Sequence, residues 1–233
     1  MNLEPIGYIR SGFKEKFGIP RQPGLTQTMV STLELLPDFG HPDTVLGLEG
    51  TTHLWIVFYF SATADQGWKP KVRPPRLGGN EKVGVYATRS PFRPNAIGLS
   101  AVKLEFIKTD AQRVVLGISG ADLLDGTPVL DIKPYLPYSD CLPEAECAIA
   151  NRFEPLDLPI KSSDAVKTKL SQLGERGFTL LEEISEILRC DPRPAYQRDP
   201  NREYGIRLYE FDVRWSIDED AIHLVDLILC DQP

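Results

Sequence analysis

Through its first 135 or so residues the sequence keeps returning to one unit, a short run rich in β-branched or aromatic residues bounded by Gly or Pro. Leu3–Ile9, Val30–Leu36, His53–Phe60, Val83–Thr88, Leu99–Ile107, Val114–Gly120 and Val129–Ile132 all read this way. Strands of this length with turn signals between them predict an all-β barrel or sandwich. One short helix is expected at Asp43–Leu48, just before the apolar strand.

From Pro134 the texture changes. Five prolines between Pro134 and Pro159 punctuate a connector without sustained periodicity, so a boundary is placed near 145–160. The division is residues 1–145, a β domain, and residues 146–233, a small α+β domain. In the second, Asp164–Leu173 and Phe178–Arg189 read as helices. Leu181, Ile184 and Leu188 share one face, and Glu182, Glu183 and Glu186 are expected to face water. Pro192 ends that helix. Arg207–Ile217 alternates cleanly, with Tyr209, Phe211, Val213, Trp215 and Ile217 on one side. It predicts a half-buried strand paired with Ile222–Leu229.

With 42% hydrophobic residues the chain can bury a core. Its net charge of −7 argues against a protein that simply coats a polyanion, but the charge is uneven. Between Lys69 and Arg93 stand seven basic residues against one acid, Glu81, so an acidic body carries one basic segment. That pattern points to a localised anion site. The four scattered cysteines form no CxxC pair and are expected as reduced thiols. The first residues lack a signal peptide's apolar run, and Leu54–Phe60 is too short to span a bilayer. A cytoplasmic protein with no membrane association is expected.

Several chemistries are disfavoured. The sequence has no GxxxxGK[ST] loop, no GxGxxG after a strand, no HExxH and no GxSxG elbow. His41, His53 and His223 are dispersed and fit turn or core roles better than metal ligation, so no metal site is expected.

Four clusters carry special residue types. In Lys69–Gly98, prolines stiffen an extended loop and Gly78-Gly79 allow close ligand approach. Arg73, Arg76, Arg89 and Arg93 offer planar forks for phosphate or carboxylate. The alternative is a solvated loop paired with the acidic body. In Arg10–Gln22, cations interleave with Phe13 and Phe17, which suits stacking and phosphate contact, or merely solvation. Asp122–Pro128 is a turn presenting two carboxylates, or a plain β-turn with Asx hydrogen bonds. Asp191–Tyr196 is a stiff loop holding a forked cation beside an aromatic, or a rigid helix end with Tyr196 packed beneath it.

Together these strings resemble one family, the TsaA-like (TrmO, formerly YaeB) proteins. The likeness rests on residues 8–24, 48–60, 72–100, 122–138, 191–196 and 209–215, in order over nearly the whole chain. It implies an N-terminal antiparallel β-barrel and a dimeric methyltransferase that uses S-adenosyl-L-methionine. The implied substrate is N6-threonylcarbamoyladenosine beside the anticodon of tRNA, methylated at N6. Carried over by motif, cofactor contacts fall on Pro20, Arg21 and Gln22, on Ser61 and Ala62, on Arg89 and Leu99, and on Asp122, Leu123, Leu124 and Asp125. Asp191, Arg193 and Tyr196 serve the tRNA, and Arg73, Arg76 and Arg93 are left to meet RNA. Ser61-Ala62 stand where the family carries larger polar residues, so any contact there falls to backbone. Asp122 and Asp125 are both candidates for the group that takes the acceptor's proton. The rival readings are a non-catalytic RNA-binding module and a small-molecule hydrolase built on His53 and the paired aspartates.

Overall fold

The structure, a computed structural model, describes residues 2–74, 81–110, 113–147, 155–193, 199 and 202–230. Six strands close a barrel: β1 (Gly7–Arg10), β2 (Val30–Leu35), β3 (His53–Tyr59), β6 (Ile97–Asp110), β7 (Arg113–Ser119) and β8 (Pro128–Pro134). Their order is β1-β2-β7-β6-β3-β8, with every pair antiparallel and Gly7 facing Val129 at the closure. Closure removes the exposed edges that an open sheet would leave. Between β3 and β6 the chain builds helix α1 (Ser61–Ala64) and a two-stranded flap, β4 (Lys71–Val72) and β5 (Val83–Gly84).

Period-two alternation sets the barrel interior. Leu54, Ile56 and Phe58 of β3 point inward with Val102 of β6, joined by Ile9, Leu33, Val114, Leu116, Ile118 and Val129. On the outer face of the same two strands, Tyr59 opposes Ile97 and Val57 opposes Leu99.

After helix α2 (Pro137–Asp140), the C-terminal part forms a four-stranded sheet in the order β10-β11-β12-β9. Its strands are β9 (Ile160–Ser162), β10 (Tyr204–Leu208), β11 (Phe211–Ile217) and β12 (Ile222–Leu229). Only β9 runs parallel to its neighbour. Helices α3 (Asp164–Gln172) and α4 (Glu175–Arg189) supply Val166, Leu170, Leu180, Ile184, Ile187 and Leu188 to its core, facing Val213 and Trp215. Among the described residues no helix is long and apolar enough to cross a membrane, and the four cysteines are free thiols.

The structure departs from the sequence reading in specific places. The alternating stretch 207–217 is a hairpin: β10 and β11 meet at a turn where Tyr209 has φ +53° and its N–H donates to Gly12 O at 2.7 Å. Across the turn the buried phase shifts from even positions (Tyr204, Ile206, Leu208) to odd ones (Phe211, Val213, Trp215), and the adjacent apolar pair Leu208-Tyr209 is its mark in the sequence. The helix expected at 43–48 is two 3-10 turns, Pro42–Val45 and Leu48–Gly50, and 83–88 is only briefly a strand before a 3-10 turn.

Two expectations are overturned by one packing event. Phe13 is 1% exposed inside the C-terminal core, with Met29 buried beside it and Phe17 packed against them. These rings are therefore not open to RNA. Likewise, Glu183 does not face water, and Glu186 is half-buried against the strap. Glu183 is 3% exposed and accepts from Tyr209 Oη and Arg176 Nη1, both at 2.9 Å. Glu186 accepts from the backbone of Gln27 and Thr28 at 2.8 and 2.9 Å. Residues 11–29 thus form a strap between barrel and C-terminal sheet, continued by the Phe13–Leu208 bridge and by Lys14 N–H donating to Arg207 O.

Candidate active site

One cavity of about 630 Å³ opens where β3 ends and β6 begins. Val57–Phe60 and Ile97–Ser100 form its walls, α1 and the 88–93 segment one flank, the strap at Lys16 and Ile19–Arg21 the other, and Asp122–Leu124 the floor. Pairing of β3 with β6 fixes this juxtaposition, since Phe58 lies opposite Gly98. A Cβ on Gly98 would sit 2.2 Å from the Phe58 ring, so only glycine lets that ring lie flat against β6.

The lining is mainly apolar and aromatic with one inward carboxylate, Asp122. The Ser100 hydroxyl, itself 1% exposed, donates to Asp122 Oδ1. No described cation lies within ion-pair distance of Asp122. Burial raises its pKa above the ordinary aspartate value, opposed by the Ser100 hydrogen bond, by backbone hydrogen bonding and by the charge of Arg89. A buried carboxylate with no described cation at ion-pair distance, in a largely apolar cavity, is suited to a positively charged ligand centre or to accepting a proton.

The rim is cationic and tied together. Arg89 Nη1 donates to Gln22 Oε1 at 2.7 Å, Lys16 Nζ to Ala62 O at 2.6 Å, and Arg21 Nη2 to Arg193 O at 3.2 Å. Burial pushes the Arg21 guanidinium below its ordinary value, countered by Asp191. Arg193 is engaged by Asp191 through two parallel bonds, Nε to Oδ1 at 2.8 Å and Nη2 to Oδ2 at 3.1 Å.

The structure sorts the sequence candidates. Pro20, Arg21, Ser61, Ala62, Arg89, Leu99, Asp122, Leu123 and Leu124 all line the cavity, and Gln22 is joined to it through Arg89. Asp125 does not line it. Its Oδ1 accepts from Ser11 N–H at 3.0 Å and its Oδ2 from Lys14 Nζ at 2.7 Å, so it fastens the strap to the β7–β8 turn. Arg93 lines the cavity, but its Nη1 donates to Val85 O and Thr88 O, so that nitrogen braces its own loop rather than standing free. Arg73 is exposed on the flap. Arg76 and Tyr196 lie outside the described residues. Residues missed by the sequence reading are Ser100, Phe58 and Phe60; only the inward phase of β3 and β6 could have signalled the first two.

The fold agrees with the comparisons. Residues 8–141 match the family model of the tRNA-methyltransferase O N-terminal domain, and residues 155–229 that of the TrmO C-terminal domain. The chain is 44% identical over 227 residues to the tRNA (adenine(37)-N6)-methyltransferase of Escherichia coli, covering 97% of each. It is 45% identical over 229 residues to a Pseudomonas aeruginosa protein named as an S-adenosylmethionine-dependent methyltransferase, RcsF, again covering 97% of each. The crystal structure of TrmO from P. aeruginosa superposes with a TM-score of 0.79 at 41% identity, covering 98% of this chain and 97% of that one. With both family models matched in order and relatives aligned nearly end to end, the chain belongs to the tRNA-methyltransferase O family.

Proposed function

We propose that the protein methylates the N6 nitrogen of the adenosine beside the anticodon in tRNA with S-adenosyl-L-methionine, the acceptor being N6-threonylcarbamoyladenosine. The observation that carries this reading is one cavity with largely apolar walls, a buried carboxylate with no cation at ion-pair distance among the described residues, and a cationic rim. S-adenosylmethionine offers the complement of each: an adenine ring, a positive sulfonium and a carboxylate. When bound, it supplies an electrophilic methyl group.

The protein's work is then alignment and proton handling. Phe58, Phe60 and Leu99 hold the apolar moiety, and Arg89 and Arg21 are the forks for the carboxylate. Ser61 and Ala62 contribute backbone. The ureido-like acceptor nitrogen is a weak nucleophile, and Asp122 is the group suited to accept its proton as the bond forms. Asp125 supports the site by holding the strap. Arg73, Arg76, Arg93, Asp191, Arg193 and Tyr196 serve the RNA, with Arg193 oriented by Asp191.

The protein works in the cytoplasm as a homodimer, divided into residues 1–145 and 146–233 with the strap shared by both. Sedimentation equilibrium reads the self-association directly. Nucleoside mass spectrometry of tRNA from cells lacking the protein is expected to show loss of the N6-methylated form of threonylcarbamoyladenosine. An unchanged profile overturns the assignment. Arg89→Ala is expected to weaken S-adenosylmethionine binding about tenfold in calorimetry, and unchanged affinity removes Arg89 from the site.

A further inference from the structure

Exposed large aromatics beside a functional cleft call for an explanation in terms of what covers them. Trp68 is 56% exposed and Tyr86 74% exposed, and in sequence they flank the flap strands Lys71–Val72 and Val83–Gly84. Their backbone is tied into one piece: Lys69 N–H donates to Phe92 O at 3.2 Å and Val85 N–H to Pro70 O at 3.1 Å. Pairing of Lys71 with Gly84 continues the tie. The same piece reaches the cavity through Pro91 and Arg93, which line it.

Cations are interleaved with these rings. Lys69 Nζ stands 4.2 Å over the Phe92 ring, and the Arg93 guanidinium 5.7 Å from the centre of the Tyr86 ring. Lys71, Arg73 and Lys82 are exposed nearby in the chain. Aromatic faces set among cations are what unpaired RNA needs, because bases stack on the rings while phosphates meet the charges.

We propose that Trp68 and Tyr86 are stacking platforms for unpaired anticodon-loop bases flanking the methylated adenosine, with the flap's lysines and Arg73 on the intervening phosphates. This rests on tRNA being the substrate. The rings take bases without reading their edges, so the flap tolerates differing loop sequences while presenting the target base to the cavity.

Trp68→Ala and Tyr86→Ala are each expected to raise the Kd for an anticodon stem–loop RNA, and the KM for tRNA, about tenfold. S-adenosylmethionine affinity, melting temperature and kcat at saturating tRNA stay at the wild-type level, and Trp68→Phe retains most of the RNA affinity. Stacking releases no counter-ions, so the slope of log affinity against log salt is unchanged in the aromatic variants. Lys71→Ala, by contrast, lowers that slope by about one. Unchanged RNA affinity in both aromatic variants overturns the proposal. So does dissociation of an oligomer by Trp68→Ala in sedimentation, which would assign the ring to a protein interface. Loss of methylation by the wild-type protein would instead overturn the function itself, so the two failures are distinguishable.

Discussion

Asp122→Asn is expected to lower kcat for tRNA methylation by about 10²–10⁴-fold while the variant melts at or above the wild-type temperature. The two halves of that result have one cause. Burial raises the Asp122 pKa, more than the Ser100 hydrogen bond, the backbone and Arg89 lower it. The folded protein therefore binds this proton more readily than the unfolded chain does. The stability gained from the protonated form is complete below the ordinary aspartate value and is lost as pH rises through the raised folded value. Above that raised value the ionised group weighs against the fold. Asparagine keeps an acceptor for the Ser100 hydroxyl and removes the charge, so stability holds or improves while the base is gone. The wild-type rate should fall on acidification through the raised value, above the ordinary range near pH 4. Ser100→Ala removes the hydrogen bond that lowers that value, and so should move the acid limb further upward. Full kcat in Asp122→Asn would reassign the proton to another group. Lost activity accompanied by a lower melting temperature would reduce Asp122 to a structural role.

How far the site could be read from sequence depends on whether a residue's role is local. The barrel strands were legible because alternation is written within each run, as in Leu54, Ile56 and Phe58. The Asp122–Asp125 turn was legible as a pair of acids, but not which acid works. That decision is made by Lys14 and Ser11, which lie 111 and 114 residues away and capture Asp125. Glu183 was misread for the same reason. Its spacing on α4 assigns it to the polar face, yet the partner of that face is the Tyr209–Gly12 contact rather than solvent. Gly12 carried no signal at all. A Cβ there would meet the Tyr209 ring at 2.6 Å, a constraint that exists only once β10 and the strap are brought together.

That junction carries the second large expected effect. Phe13→Ala should destabilise the protein by about 3–5 kcal/mol, the usual cost of emptying a buried phenylalanine site, and should weaken S-adenosylmethionine binding as well. Phe13 belongs to the N-terminal third of the chain but is buried in the C-terminal core. It bridges to Leu208, and its carbonyl accepts from Asp125 N–H at 2.9 Å. Directly after it come Lys16, Ile19, Pro20 and Arg21, all of which line the cavity. Emptying the Phe13 site therefore loosens the segment that forms one cavity flank, although Phe13 does not line the cavity. Loss of stability alone would not prove this coupling, since any core truncation lowers the melting temperature. Leu180→Ala supplies the control. Leu180 is fully buried in the same core on α4, and no hydrogen bond of its own joins it to the strap. It should lose about 2–5 kcal/mol with cofactor affinity, measured well below its melting temperature, unchanged. If both variants bind S-adenosylmethionine as the wild type does, the C-terminal core stabilises the strap without shaping the cavity. If only Phe13→Ala binds more weakly, the second core is part of the cofactor site, and the C-terminal sheet acts on that site through the strap.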